Sequence, residues 1–310
     1  MPMHTKCKSS KKITIFAPVF HKRKHRAMVL FDNHNHSQFS FDGKRASIEE
    51  GAMLAWASGL GGLAYTDHCD FYVPPMKAAY ENLTSEIFDV ESQQEEISRV
   101  QNLINDMSAA SGRPGIKILK GIEIGMHRDH HEDIRNKLSG AEFDQVIASV
   151  HYLDGTDPFY GGYYEDKDWK TAYGLYLETI LQEMTWLKDF DIMGHYDYVV
   201  RYAPYPETSI RYRDFSDVLD EMFKYIINEG KALEINTKSY QAHKGRQVVL
   251  DTEVLKRYRD MGGEIISLGS DSHSPDRIGA AFAEHAALLK SMGFRWNAHY
   301  ESRHLIQLPL

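Results

Sequence analysis

The sequence predicts an α/β fold in which seven parallel strands, each followed by a helix, close into a barrel. Three observations carry that expectation. Short apolar runs alternate with helix-forming stretches seven times along the 310 residues, the pattern of parallel strands with helical crossovers. Six of the seven runs stop at a His, Asp or Glu. A barrel gathers all its strand ends around one mouth, whereas an open sheet has one crevice served by few strands, so six such ends favour a distorted (β/α)7 TIM-like barrel working at its carboxyl ends.

The first run, Val29-Leu30-Phe31, spills into Asp32-Asn33-His34-Asn35-His36-Ser37, with Asp42 six residues beyond His36. Side chains alternate along extended chain, so His34 and His36 face the same way. Ser47-Ile48-Glu49-Glu50 has the form of a capping box and opens a helix that runs through Ser58 to Gly59. Leu63 to Thr66 is the second strand, stopping at Asp67-His68. A loop with Pro74 and Pro75 then leads to a helix over 85–110, whose stripe of Ile97, Val100, Ile104 and Met107 faces the core. Gly112 and Pro114 end it.

The third strand spans 116–122 and ends at Glu123, a short helix covers 130–138, and the fourth strand, 143–150, ends at His151. The connection that follows is long and rich in tyrosine and acid, including Tyr152, Asp154, Asp157, Phe159, Tyr160, Tyr163, Tyr164, Glu165 and Asp166. Long structured loops in compact domains are often functional. A helix over 171–187 turns Tyr173, Leu177, Ile180, Leu181 and Met184 inward. The fifth strand, 190–194, ends at His195, and the loop 196–206 carries Arg201. A helix over 214–228, a sixth strand over 232–236, a helix over 251–261 capped by Asp251, a seventh strand over 264–269 ending at Asp271 and His273, and a last helix over 278–292 complete the alternation.

Composition narrows the function classes. With 42% hydrophobic and 26% charged residues the chain reads as an ordinary soluble globular protein, and no apolar run approaches a membrane span. A formal charge of −8 argues against a nucleic-acid partner, because phosphate backbones are gripped by excess Lys and Arg. Cys7 and Cys69 are too few for a disulfide framework, so a cytoplasmic setting is expected. Residues 1–27 carry Lys and Arg with no Asp or Glu; they are read as a basic N-terminal extension, with a single barrel domain over 28–310. The outer helix faces show no contiguous apolar stripe, and a homo-oligomer stays open.

Collected from the strand ends, the candidate metal ligands are His34, His36, Asp42, His68, Glu123, His151, His195, Asp271 and His273. Nine N and O donors exceed the needs of one ion, and His with carboxylate suits Zn, Fe or Mn. Two or three divalent transition metals are therefore expected, with a carboxylate such as Glu123 bridging. Cys69 beside His68 is read as a buried structural thiol. A lone His at a strand end is usually a turn or core residue; six strands ending alike make that account fail for the set.

These residues resemble the PHP (polymerase and histidinol phosphatase) family of metal-dependent phosphoesterases. Its motifs stand here as Asp32 to Ser37, Thr66-Asp67-His68, Gly121-Ile122-Glu123, Ser149-Val150-His151, Gly194-His195-Tyr196-Asp197 and Ser270-Asp271-Ser272-His273. Within the family the chain is most similar to the stand-alone histidinol-phosphate phosphatases, through Leu233-Glu234-Ile235-Asn236-Thr237 and Arg201. The resemblance implies three adjacent ions: His34, His36, Glu123 and Asp271 for one, Glu123, His151 and His195 for a second, Asp42, His68 and His273 for a third. It implies hydrolysis of L-histidinol phosphate to L-histidinol and phosphate by a metal-bridging hydroxide. Arg201 is the expected phosphate clamp. Asp197 and His243 are candidate proton donors to the leaving group, and Tyr152 and Tyr160 of the acidic loop are expected to meet the cationic half of the substrate. Another small phosphate ester or nucleotide as substrate, and a non-catalytic metal-binding interaction module, are the competing readings.

Overall fold

The computed structural model describes residues 29–43, 45–73, 86–153 and 155–310. The expected basic extension, the Pro74-Pro75 loop and Asp154 lie outside them. Parallel strands β1 (Phe31–Asp32), β2 (Gly62–Tyr65) with β3 (His68–Asp70), β5 (Lys117–Gly125), β6 (Gln145–Ser149), β7 (Ile192–Met193), β8 (Ala232–Asn236) and β9 (Ile266–Gly269) follow one another around a nearly closed barrel. Helices α1 (Ile48–Ser58), α2 (Val90–Ser111), α3 (His131–Ser139), α4 (Trp169–Leu187), α6 (Ser216–Asn228), α7 (Thr252–Asp260) and α8 (Phe282–Ser291) alternate with them. Apart from Lys117 and Lys120 of β5 and His68 at the start of β3, the barrel strands are buried on both sides, the situation that requires largely apolar runs rather than alternation.

The seam between β9 and β1 is closed by polar groups. Asn33 N–H donates to the Leu268 carbonyl at 2.9 Å, His36 N–H to Ser272 at 2.8 Å, and Asn35 bridges Ser272 in parallel. The fully buried Asp32 carboxylate accepts from Ser270 N (2.9 Å) and Gly279 N (2.8 Å), tying the β1 end to the chain beyond β9. This staple orients the two segments that carry His34, His36, Asp271 and His273.

Local chemistry sets the helix ends much as the sequence predicts. Ser47 Oγ accepts from Glu50 N, Gly59 closes α1 at φ 84°, and Asp251 caps α7. Ile97, Val100 and Ile104 are buried and Met107 packs at the edge of the same cluster. The inward face of α4 is Tyr173, Leu177, Ile180 and Met184 with Leu181 half-buried.

Several expectations need correcting. The second strand does not stop at Thr66: β3 keeps the register of β2 against β5, with Tyr65 opposite Lys120 and His68 opposite Glu123. β5 likewise runs past Glu123 to Gly125, so both residues sit inside the ladder and are held by it. The helix expected from 85 begins at Val90, capped by Asp89; before it, β4 (Glu86–Ile87) pairs antiparallel with β3. The loop with Arg201 contains one helical turn, α5 (Tyr198–Tyr202), and α8 starts at Phe282 because Ala281 is left-handed at φ 61°.

The sequence reading placed nothing after 292, where the structure has an antiparallel hairpin, β10 (Trp296–Glu301) and β11 (His304–Pro309). β10 packs against β1, β6 and β9. His299 stacks on Phe31 with centroids 3.8 Å apart, and the Ala298 carbonyl accepts from Asn33. Arg303 in the turn reaches Asp191 (2.5 Å) and Asp189 (2.9 Å).

Candidate metal centre

Six of the seven barrel strands deliver a candidate ligand at or near their carboxyl ends, and β8 does not. His34 and His36 follow β1, His68 opens β3, Glu123 lies in β5, His151 and His195 follow β6 and β7, and Asp271 and His273 follow β9. Asp42 comes from the loop before α1. The structure brings all nine expected ligands into one cluster. Donor atoms lie within 4.8 Å of one another in four overlapping groups: His34-His36-Asp271, His34-Glu123-His195, His68-Glu123-His151 and His36-Asp42-His68-His273. The division implied by the resemblance differs in detail, since His34, His36 and His68 each belong to two groups.

Glu123 is the hub. Its Oε1 lies 3.0 Å from His195 Nε2 and 3.2 Å from His151 Nε2, and its Oε2 lies 3.2 Å from His34 Nε2 and 3.0 Å from His68 Nδ1. Burial would raise this carboxyl, but the imidazoles of His34, His151 and His68 hold it well below the usual range. Burial also pulls His34 down, and Glu123 and Glu234 outweigh it; Asp42 and Glu123 do the same for His68.

The donor set fits a metal on the geometry alone. His34 Nδ1–H donates to Glu234 Oε1 at 2.7 Å, because a carboxylate can only accept, and this leaves Nε2 as the ring nitrogen aimed into the cluster. That nitrogen meets His36 Nε2 at 3.2 Å and Glu123 Oε2 at 3.2 Å. Glu123 Oε2 is buried without a hydrogen-bond partner among the described residues. Carboxylate oxygens and imidazole nitrogens converging in a buried space need positive charge among them, which protons on the imidazoles supply in the metal-free protein and a bound divalent ion would supply in their place. Asp271, held at φ 47°, shows the local backbone strain that collects at such positions.

Above the cluster opens a cavity of about 310 Å³ whose lining includes two unlike sets of side chains, each held together by its own contacts. One is Arg201, Lys238 and His243; the other is Glu86 with Tyr152, and Asp157 with Phe159 and Tyr160. Arg201 Nη1 donates to the carbonyls of Lys238 and Gln241, which fixes the guanidinium at the rim, while its Nε is buried without a partner among the described residues. His243 lines the cavity, its Nε2 likewise unpartnered and its pKa lowered by burial and by Arg201. Tyr152 donates to Glu86 at 2.8 Å, and Tyr160 stands exposed at the mouth. Asp197 does not line the cavity. It is buried against Tyr240 and Ser239, which turns the expected proton donor away from the substrate space. Of the acidic loop, Asp157 reaches the cavity; Glu165 and Asp166 do not.

Four residues at the site drew no role from the sequence reading, Glu234 among them although its motif was noted. Lys238 places Nζ 3.0 Å from Asp271 Oδ1 and 3.1 Å from His273 Nδ1. Glu234 and Asp70 orient histidines from behind, and Glu86 belongs to the acidic set. The signal for Asp70 was its place two residues after His68 in a strand, which puts both on one side; Glu86 was hidden by assignment to a helix.

A model of the PHP domain matches residues 32–238. The chain belongs to the PHP family. A histidinol-phosphatase of Lactococcus lactis is 33% identical over 86% of this chain and 93% of its own. The crystal structure of histidinol phosphate phosphatase from Lactococcus lactis, complexed with zinc, L-histidinol and phosphate, superposes with a TM-score of 0.78 at 29% identity, covering 89% of this chain and 98% of that one. A Listeria monocytogenes structure at 19% identity, with a TM-score of 0.61 over 82% of this chain and 99% of that one, shares the fold. No helix among the described residues is long and apolar enough to cross a membrane.

Proposed function

We propose that this PHP protein is a metal-dependent phosphomonoesterase that hydrolyses L-histidinol phosphate to L-histidinol and phosphate. The observation that carries the reading is a cavity lined by a cationic and an acidic set of side chains and floored by seven of the nine candidate metal ligands, with His34 and His36 buried beneath them. Its likeness in sequence and fold to the Lactococcus lactis enzyme supports the same substrate.

His34, His36, Asp42, His68, Glu123, His151, His195, Asp271 and His273 would hold two or three divalent ions, zinc, iron or manganese, which when bound activate water and neutralise phosphoryl charge. Arg201, fixed at the rim by the 238–241 turn, aims its remaining N–H groups at the phosphate, with Lys238 beside it. Glu86, Asp157, Tyr152 and Tyr160 receive the ammonium and imidazole end by charge and cation–π contact. His243, in the same cavity lining as Arg201, is positioned to protonate the leaving oxygen, and because burial and Arg201 lower its pKa it does so from a minor protonated fraction near neutral pH. The two cysteines and ordinary globular composition support a cytoplasmic setting.

Steady-state hydrolysis of L-histidinol phosphate against nucleotides and sugar phosphates, with metal content assayed on the same preparation, tests the reading. A lead of about a thousandfold in kcat/KM, roughly 4 kcal/mol, is expected. Flat activity across the panel from metal-replete protein would overturn the substrate.

A further inference from the structure

The histidines around Glu123 are not equally supported from behind. Glu234, buried in β8, accepts from His34 Nδ1 at 2.7 Å through Oε1 and from the backbone N–H of His195 at 2.7 Å through Oε2. One carboxylate thus sets both histidines of the His34-Glu123-His195 group. Asp70, at the end of β3, does the corresponding work for His68-Glu123-His151, accepting from His151 Nδ1 at 3.1 Å. Each carboxylate fills the space of a missing side chain on the next strand. A β-carbon on Gly269 would lie 2.3 Å from Glu234 Oε1, and one on Gly125 would lie 1.6 Å from Asp70 Oδ1.

The group His36-Asp42-His68-His273 has no carboxylate dedicated to it at hydrogen-bond distance: Asp70 Oδ2 is 4.0 Å from His68 Nδ1, and Asp271 Oδ1, 3.4 Å from His273 Nδ1, is itself a candidate ligand that Lys238 also engages. His36 Nδ1 meets the Ser40 hydroxyl at 3.3 Å, a neutral partner, and His273 Nδ1 faces the Lys238 ammonium at 3.1 Å. A cation at that distance opposes a dication on the same imidazole. The group is also the open one: the Asp42 and His273 side chains are 27% and 23% exposed, against 0% for His34 and Glu123 and 3% for His195.

We propose that Glu234 and Asp70 are positioning residues, each dedicated to one of the two buried groups that share Glu123, and that the His36-Asp42-His68-His273 group is the exchangeable position of the centre. The inference rests on the reading of these residues as metal ligands. A carboxylate behind an imidazole fixes its tautomer and raises its basicity as a ligand, and removal of such a partner typically weakens metal binding by about 10- to 100-fold.

The test is zinc release from the loaded full-length protein into excess chelator, followed in time and by metal content. Wild type is expected to release about one equivalent at least tenfold faster than the remainder, the size of effect such partners carry. Glu234→Gln and Asp70→Asn each speed the slow phase and leave the fast one in place, whereas Asp42→Asn removes or speeds the fast phase alone. Melting of the metal-free variants separates positioning from general stability, since a structural role lowers that melting point without moving the slow phase. If Glu234→Gln does not fold, Asp70→Asn and Asp42→Asn still assign the two phases. A single uniform phase in wild type, or a slow phase indifferent to both positioning variants, overturns the proposal. A wild type that takes up no zinc overturns the ligand reading beneath it instead.

Discussion

Replacing Glu86 by Gln tests the acidic set through stability as well as through substrate. The side chain is 5% exposed, and burial together with Asp70 pushes its carboxyl up to about 7 from an ordinary 4.5. Between those values the folded protein keeps a proton that the unfolded chain has released, so stability falls as pH rises from about 4.5 to about 7. Above pH 7 the full penalty applies, roughly 3 kcal/mol at 1.36 kcal/mol per pH unit, an upper bound because Asp70 shares it. Gln carries no such penalty. It keeps an acceptor for the Tyr152 hydroxyl, but a neutral one, which returns about 1 kcal/mol. The metal-free variant should therefore be more stable than wild type by about 2 kcal/mol at pH 8, a rise of roughly 4 °C in Tm, and by nearly nothing at pH 5. Thermal melts of both proteins in chelator at the two pH values measure the difference. A pH-independent gap, or a less stable variant at pH 8, would refute the argument that Glu86 is held ionised at a cost. The same substitution should raise KM for L-histidinol phosphate by about thirtyfold if the carboxylate meets the ammonium, the order found when one partner of a buried charge pair is removed.

Other outcomes follow from the same geometry. Arg303→Ala leaves the buried Asp191 carboxylate without its guanidinium and frees the hairpin turn, and should destabilise the protein by about 3 kcal/mol in denaturant titration; a loss under about 0.5 kcal/mol would mean the hairpin is held by its apolar contacts alone. Gly269→Ala puts a β-carbon 2.3 Å from Glu234 Oε1 and 2.6 Å from His34 Cβ, and should lower kcat by at least tenfold while costing about 1–3 kcal/mol in stability. Wild-type activity in that variant would show that Glu234 can move without consequence. Exhaustive chelation should abolish phosphatase activity, and readdition of zinc or manganese should restore it; chelator-resistant turnover would rule out a metal-dependent mechanism.

Much of this molecule is written in short stretches of sequence. Ser47 and Glu50, Gly59, Asp251 and the stripe Ile97-Val100-Ile104 act within a turn or two of the chain, so helix starts, stops and faces are legible from neighbours alone. The candidate ligands were legible for a related reason: parallel strands in a barrel all end at one mouth, so a polar residue just past an apolar run is placed by topology before any contact is known. What depends on register between distant strands was not. That Glu234 lies behind His34 and Asp70 behind His151 follows from pairings such as His68 with Glu123 and Glu234 with Ser267, separated by tens of residues. Asp197 stood among the candidate proton donors because it lies two positions after His195, but the turn into α5 sends its carboxylate into the core while His195 reaches the cluster. The closing hairpin was silent because its turn residues, Ser302 and Arg303, are left-handed without the glycine or asparagine that announces such turns, and Asp144, Asp189 and Asp191 hold them there instead. The sequence by itself determined the seven-fold alternation and the kind of side chain at each strand end. The tertiary structure decided which of those side chains share a proton, a neighbour or a cavity, because those relations are set by packing across the barrel and not along the chain.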